Sequence, residues 1–192
     1  MDKRYISPQQ LLTDAYALGV EIVNSGFKPD YLIGIWRGGT PVAIAIHELM
    51  DVLGIKTDHF AIRTQSYEAM GRRGNSVGVE GLSYLQTRAK AGDSVLLVDD
   101  VYDTGLSAQQ VVTDLRHLYA GKPADIRIAT PYYKPKNNLT GREPNFFLKT
   151  TDQWLVFPHE IEGLSLQDIR DHKPELDAAL PLLARHFGKG RH

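Results

Sequence analysis

Three aspartates and two hydroxyl side chains follow an apolar run in the middle of the chain. Residues 95–98 are apolar, Asp99 and Asp100 come directly after them, and Asp103 follows after two further residues. The next residues are Thr104, Gly105, Leu106 and Ser107. Adjacent carboxylates accept hydrogen bonds from a diol or bind Mg²⁺, whereas backbone N–H groups at the start of a helix attract phosphate. The segment therefore suits a phosphorylated ribose, or a phosphate that arrives with a metal ion; the plain alternative is an acidic turn that caps a helix.

The elements that must position this segment alternate between apolar runs and helical periodicity. Strands are predicted at 31–36, 59–64, 94–98 and 124–130, with shorter ones at 146–148 and 154–157. Helices are predicted from Ser7 to near Gly26, from Thr40 to Gly54 and over 107–119. This alternation predicts an α/β fold with a central, mostly parallel sheet flanked by helices. Ligands bind at the carboxyl ends of the strands in such sheets, which is where Asp99 and Asp100 stand.

Glycine and proline mark the segments that interrupt this pattern. Residues 65–80 are polar and dotted with glycine, so we expect a long loop there. Residues 131–144 contain several prolines and are expected to be irregular. The tail from Leu164 has a helical pattern that we expect to break near Pro174 and Pro181.

The composition excludes several classes of protein. The chain has 192 residues, and its 22 basic and 23 acidic side chains give a formal charge of −1. So small a charge argues against binding to nucleic acid or anionic lipid through bulk electrostatics. The absence of cysteine removes disulfides, thiol nucleophiles and cysteine-based metal sites. There is no secretory signal at the start and no apolar run near the ~20 residues that span a bilayer, so we predict a cytoplasmic protein that binds neither membranes nor nucleic acid.

The acidic segment resembles the phosphoribosyl pyrophosphate (PRPP) signature of the type I phosphoribosyltransferases. That signature is an apolar run, two acidic residues, two further residues and then Asp-Thr-Gly-x-Ser/Thr. The resemblance implies that Asp99 and Asp100 bind the ribose diol or Mg²⁺ and that residues 104–107 bind the 5-phosphate of the ribose. It also implies that Asp103 lies near N7 of a purine base, where a carboxylate acts as general base or stabilises the protonated purine.

The stretch 33–39 resembles the pyrophosphate loop of the same family. In related purine enzymes a peptide bond of this loop is cis without proline, and here that bond joins Trp36 and Arg37. The resemblance implies that Arg37, Gly38 and the loop amides bind pyrophosphate. A P-loop is excluded because the required Gly-Lys-Ser/Thr is missing. The pair Ser66-Tyr67 matches the family's flexible catalytic loop, which closes over PRPP and excludes water.

Two later segments resemble the base site of xanthine-guanine and related 6-oxopurine phosphoribosyltransferases. They are Tyr132-Tyr133-Lys134-Pro135 and Asp152-Gln153-Trp154-Leu155-Val156-Phe157-Pro158. Lys134 only donates hydrogen bonds, so it suits a purine O6 and not an adenine amino group. The resemblance implies that Trp154 stacks on the base and that the backbone at Leu155 reads its pyrimidine edge. Taken singly, the same residues are interpreted as a surface lysine and a core tryptophan.

Departures from the family pattern leave the preferred base open. Val156 stands where some relatives have an acidic residue and His159 where some have tryptophan, so guanine, xanthine and hypoxanthine all stay candidates. Glu160 stands where the family has an aspartate that reaches a second Mg²⁺ through water; a plain surface role fits equally well. Residues 136–143 have no counterpart in the family pattern.

The resemblance predicts one phosphoribosyltransferase domain over residues 1–192. Its core is expected at about residues 28–131. A small hood with the base-binding part is expected at about 132–160 together with the N-terminal segment, and a helical tail is expected at about 164–188. The expected activity is a Mg²⁺-dependent glycosyltransferase (pentosyltransferase) reaction of purine salvage, in which PRPP and a 6-oxopurine give a nucleoside 5′-monophosphate and pyrophosphate. A homodimer or homotetramer is expected. The alternatives are a non-catalytic PRPP- or nucleotide-sensing regulator of the same fold and a phosphoribosyltransferase for another base, such as adenine or orotate.

Overall fold

The structure, a computed structural model, describes residues 3–67, 76–120 and 123–188. The described chain divides into two units, one made of residues 12–152 and the other of residues up to 11 together with those from 153 onward. Within these ranges no helix has the length and apolar character that crossing a membrane requires.

Strands, α-helices and two short 3₁₀ helices make up the described chain. The strands are β1 (Lys3–Tyr5), β2 (Tyr31–Trp36), β3 (Asp58–Tyr67), β4 (Ser76–Glu80), β5 (Ser94–Val98), β6 (Val101–Tyr102), β7 (Asp125–Tyr133), β8 (Phe146–Thr150) and β9 (Trp154–Val156). The α-helices are α1 (Pro8–Asn24), α2 (Gly39–Val52), α3 (Ser83–Gln86), α4 (Leu106–Tyr119), α5 (Leu166–His172) and α6 (Leu180–Phe187). The 3₁₀ helices are Pro135–Asn137 and Pro174–Ala179.

The larger unit is built around a sheet of seven strands. Their order is β4-β3-β2-β5-β7-β6, and β8 pairs with β7. Among these strands only β3 and β4 pair in antiparallel fashion, and the other pairings are parallel. The predicted α/β fold with a mostly parallel sheet is therefore confirmed.

Strand β5 positions the acidic segment. It pairs with β2 on one side and β7 on the other. Residues 95–98 are fully buried without alternation, which is typical of a parallel strand covered on both faces. Since β2, β5 and β7 are parallel, the loops that follow them leave the sheet at the same edge.

The loop predicted at 65–80 is wrong in part. Its first residues complete β3, which runs to Tyr67, and its last five form β4. The two strands pair as a hairpin, with Ser66 opposite Val77. Residues 68–75, with Arg72 and Arg73, lie outside the described ranges.

The irregular stretch predicted from 131 begins later than expected, because β7 continues through Tyr133. Proline is tolerated at 131 for a reason that lies in the pairing. Strand β7 leaves β5 after Ala129 and meets β6 only from Tyr132, and the register with β8 also passes over Pro131. Proline's missing N–H is therefore not needed in the ladder.

In the smaller unit, β1 and β9 form a parallel two-stranded sheet. Ser165 and Asp168 form a capping box at the start of α5, with each side chain accepting from the other residue's N–H. The ammonium group of Lys173 is buried and donates to the carbonyl oxygen of Phe157, and this burial lowers the pKa of Lys173. The helical tail is interrupted near both prolines, as predicted: α5 ends at His172 before Pro174, and a new helix, α6, begins at Leu180. Pro181 lies in the first turn of α6, where no N–H is required.

Candidate active site

The acidic segment joins the end of β5 to the start of α4. Gly105 directly precedes α4 and has a φ of 78°. A Cβ at this position would lie 2.5 Å from the ring of Tyr102, so both the backbone angle and the space require glycine. Because glycine has no side chain that caps the helix, the first N–H groups of α4 lack a partner from the N-cap.

A cavity of about 90 Å³ lies beside this turn. It is lined by Asp99, Val101, Tyr102, Asp103, Thr104, Gly105, Ser107 and Ala108. The Thr104 hydroxyl accepts a hydrogen bond from the Leu106 N–H at 3.4 Å. A helix N-terminus with hydroxyl groups beside a cavity of this size suits a single phosphate group.

The loop after β2 packs tightly against the loop after β5. A Cβ on Gly38 would overlap the carboxylate of Asp100, and one on Gly39 would overlap the carbonyl oxygen of Val98. Two successive glycines therefore allow this segment to lie directly against the Asp100 side chain and the backbone at the end of β5. Sequence reasoning selected Gly38 for this loop and passed over Gly39.

The peptide bond between Trp36 and Arg37 is cis, as predicted. The carbonyl oxygen of Arg37 accepts hydrogen bonds from the N–H of Thr40 at 3.2 Å and from its hydroxyl at 2.6 Å, which ties the loop to the first turn of α2. The Arg37 side chain is exposed, so its guanidinium group is available to an anion at the sheet edge that also holds Asp99.

The adjacent carboxylates of Asp99 and Asp100 concentrate negative charge. Burial and the charge of Asp100 raise the pKa of Asp99 well above its ordinary value. Across the described ranges no three histidine, aspartate or glutamate side chains converge as a closed metal site. Mg²⁺ commonly binds through one or two carboxylates and completes its shell with water and substrate phosphates, so this pair fits it. Bound there, Mg²⁺ would offset the charge of a departing phosphate group.

Lys134 and Asp103 form an ion pair beside the same turn. Lys134 follows β7, and its N–H donates to the carbonyl oxygen of Tyr102 at 2.9 Å. Its Nζ atom lies 2.9 Å from Oδ2 of Asp103, and its side chain is only 8 % exposed. The interpretation of Lys134 as a surface lysine is therefore wrong.

The other residues that the sequence predicts for base and metal binding, Trp154, Leu155 and Glu160, belong to the smaller unit. Trp154 is 56 % exposed, so the interpretation as a core tryptophan is also wrong, whereas the next residue, Leu155, is buried. The Glu160 carboxylate accepts a hydrogen bond from the N–H of Phe157 at 3.0 Å, which engages it within its own turn. The backbone of Ser66 and Tyr67 belongs to β3 in the larger unit.

Sequence reasoning missed one contact of Asp103. Asn137 donates from Nδ2 to Oδ1 of Asp103 at 2.7 Å, so both carboxylate oxygens of Asp103 are held, one by Lys134 and one by Asn137. Asn137 lies in the stretch without a family counterpart. The sequence shows that this stretch directly follows Lys134-Pro135, but it holds no signal that marks Asn137 as a partner of Asp103.

Comparison with known proteins identifies the class to which this fold and site belong. The sequence profile of the family described as phosphoribosyl transferase domain matches residues 7–167. The chain therefore belongs to the phosphoribosyltransferase family. It is 30 % identical over 162 residues to the xanthine-guanine phosphoribosyltransferase of Desulfotalea psychrophila, an alignment that covers 82 % of this chain and 86 % of that protein.

Solved structures agree with this assignment. The purine phosphoribosyltransferase from Pyrococcus horikoshii is 28 % identical with a TM-score of 0.65, and the match covers 86 % of this chain and 98 % of that one. The xanthine-guanine-hypoxanthine phosphoribosyltransferase of Helicobacter pylori shares the fold at 20 % identity and a TM-score of 0.64, with 89 % and 100 % coverage. The predicted enzyme class, a pentosyltransferase of the purine phosphoribosyltransferase group, is confirmed.

Proposed function

We propose that this protein transfers the 5-phosphoribosyl group from PRPP to N9 of a 6-oxopurine, with Mg²⁺, in purine salvage. The observation that carries the proposal is the 2.9 Å ion pair between Lys134 and Asp103. O6 and N7 are neighbours on one edge of a 6-oxopurine, so an ammonium donor beside a carboxylate acceptor matches O6 beside a protonated N7. Adenine has an amino group at position 6, to which an ammonium group cannot donate.

PRPP is bound by the two loops that meet at Gly38, the loop after β2 and the loop after β5. Ribose carbon 1 takes on oxocarbenium character as pyrophosphate leaves, so the protein must stabilise a departing polyanion. Arg37 and the backbone at Gly38 serve this need. Asp99 and Asp100 bind the ribose diol or Mg²⁺, and the first turn of α4 with the hydroxyls before and within it binds the 5-phosphate.

The purine is further held by stacking and by backbone hydrogen bonds. The Trp154 ring is exposed enough to stack on a base, a contact that contributes about 1–3 kcal/mol elsewhere. The family resemblance supports three more assignments: the backbone at Leu155 reads the pyrimidine edge, Glu160 reaches a second Mg²⁺ through water, and Ser66-Tyr67 takes part in closure over PRPP. It also supports a homodimer or homotetramer that works in the cytoplasm.

A base-competition assay tests the proposal. Guanine, xanthine, hypoxanthine and adenine are each supplied with PRPP and Mg²⁺, and pyrophosphate release is measured. We expect turnover with at least one 6-oxopurine in preference to adenine. Lys134→Met should lose this preference, whereas Lys136→Met, which removes an exposed lysine two residues away, should keep it. Adenine as the best substrate contradicts the role of Lys134, and tight PRPP binding without any product favours a sensing regulator.

A further inference from the structure

The stretch 136–143, called the insert below, contacts three consecutive residues of the acidic segment. Oδ1 of Asp103 accepts from Asn137, and the carbonyl oxygen of Thr104 accepts from the N–H of Leu139 at 3.0 Å. The hydroxyl of Tyr102 pairs with the hydroxyl of Thr140 at 2.9 Å. These contacts join residues more than 30 positions apart in sequence, so they fix the turn before α4 from outside.

The insert is itself held in one conformation. The side-chain oxygen of Asn138 accepts from both the N–H and the hydroxyl of Thr140, each at 2.9 Å. The side-chain nitrogen of Asn138 donates to the hydroxyl of Tyr133 and to the carbonyl oxygen of Arg142, both at 3.0 Å. The Arg142 guanidinium in turn donates to the backbone of Ile126 at 3.2 Å. Asn138 and Arg142 thus bind the insert to the two ends of β7, so the insert has a defined conformation beside the acidic segment.

Asp103 depends on this support when substrate is present. If Lys134 donates a hydrogen bond to the purine O6, as the proposed function requires, its ammonium group must donate to both O6 and Asp103. The proposed function gives the side-chain amide of Asn137 no contact with the purine. This amide therefore continues to orient the Asp103 carboxylate, to which it donates at 2.7 Å. A hydrogen bond that holds a reacting group in place contributes to the rate without a contact to the substrate.

We propose that the insert is a positioning element of the active site and that Asn137 is the positioning residue for Asp103. The assignment rests on the proposed role of Asp103 in catalysis. Because Asn137 acts through Asp103, its removal lowers kcat and leaves the KM for PRPP unchanged.

Steady-state kinetics test the assignment. We expect Asn137→Ala to lower kcat about tenfold with the KM for PRPP within about twofold, and Asn137→Gln, which keeps the donor, to recover part of the loss. Lys56→Met is the control, since its ion pair with Asp51 is also exposed and lies outside the insert. In an Asp103→Asn background, Asn137→Ala should cost nothing more. Unchanged kcat in Asn137→Ala, or an equal loss in both backgrounds, overturns the assignment.

A second measurement does not depend on turnover. Hydrogen exchange of the amides of residues 102–105 should be about fivefold faster in Thr140→Val than in the parent protein, because the hydrogen bond to Tyr102, worth roughly 1 kcal/mol, is lost together with the bonds of this hydroxyl inside the insert. Thr113→Val is the matched control, since its hydroxyl bonds only within α4. Unaltered exchange contradicts a supporting insert even in a protein that turns over no purine, whereas absent purine turnover with faster exchange contradicts the proposed function alone.

Discussion

The carboxylate of Asp100 lies against Gly38 so closely that the first carbon of any side chain at position 38 would overlap it. This approach joins the loop assigned to pyrophosphate with the loop assigned to the phosphorylated ribose. The two halves of the proposed PRPP site are therefore held against each other by the contact between the Gly38 backbone and the Asp100 side chain.

Gly38→Ala should separate these halves. The added methyl group must displace Asp100 or the loop, and such overpacking costs about 1–3 kcal/mol. We expect the KM for PRPP to rise about tenfold or more in steady-state kinetics. Gly26→Ala is the control: Gly26 has a positive φ of 79°, and an added Cβ would meet no atom within 4 Å, so this variant should lose stability and keep its KM.

Asp99→Asn should make the fold more stable and abolish its stabilisation by PRPP with Mg²⁺. Burial and the neighbouring charge of Asp100 both disfavour the charged form of Asp99 and raise its pKa, so we expect the neutral amide to increase the free energy of unfolding by about 1 kcal/mol. PRPP with Mg²⁺ should raise the melting temperature of the parent protein and not that of the variant. Asp51→Asn, an exposed position, should respond to the ligands like the parent. Equal ligand stabilisation of all three proteins would exclude Asp99 from the site.

Asp103→Asn should separate chemistry from binding. With the proposed roles, loss of a general base lowers turnover by about 100-fold or more, whereas PRPP binding through the other residues of the turn is retained. Rapid-quench measurement of the nucleotide formed in one turnover, together with PRPP titration, distinguishes the two effects. Equal losses in turnover and PRPP affinity would mean that Asp103 shapes the turn instead of acting on the purine.

Tyr119 should make the fold sensitive to alkali. Its hydroxyl is buried and donates to Asp93 at 3.0 Å, and burial together with that carboxylate raises the pKa of Tyr119. The folded state then holds this proton more tightly than the unfolded state, so the stabilisation is present below about pH 10 and is lost as the pH rises further. Urea unfolding at pH 8–11 should show a shallower decline in Tyr119→Phe than in the parent, while Tyr16→Phe, at an exposed site, should follow the parent.

The sequence predicted the parts of the site that are local. The acidic segment and the strand before each loop follow from short runs of residues, and β2, β5 and β7 form the parallel core that their apolar patterns predicted. The cis bond was expected from the resemblance of residues 33–39 to the family's pyrophosphate loop. The contact between Asn137 and Asp103 was not predictable, because nothing local to Asn137 marks the carboxylate it meets. The interpretations made from single residues also misjudged burial. They placed Lys134 on the surface and Trp154 in the core, whereas Lys134 is buried and Trp154 is exposed.

The common direction of β2, β5 and β7 has a practical consequence for handling the protein. The proposed contacts of Arg37, Asp99 and Lys134 lie at or after the carboxyl ends of these strands, so the turns that lead into their amino ends are remote from the proposed chemistry. Strand β3 is parallel to β2, and Lys56 lies just before β3 at this amino-end edge, with a side chain that is 87 % exposed. A fluorophore or a solid support attached at Lys56 would leave the catalytic edge open to solvent.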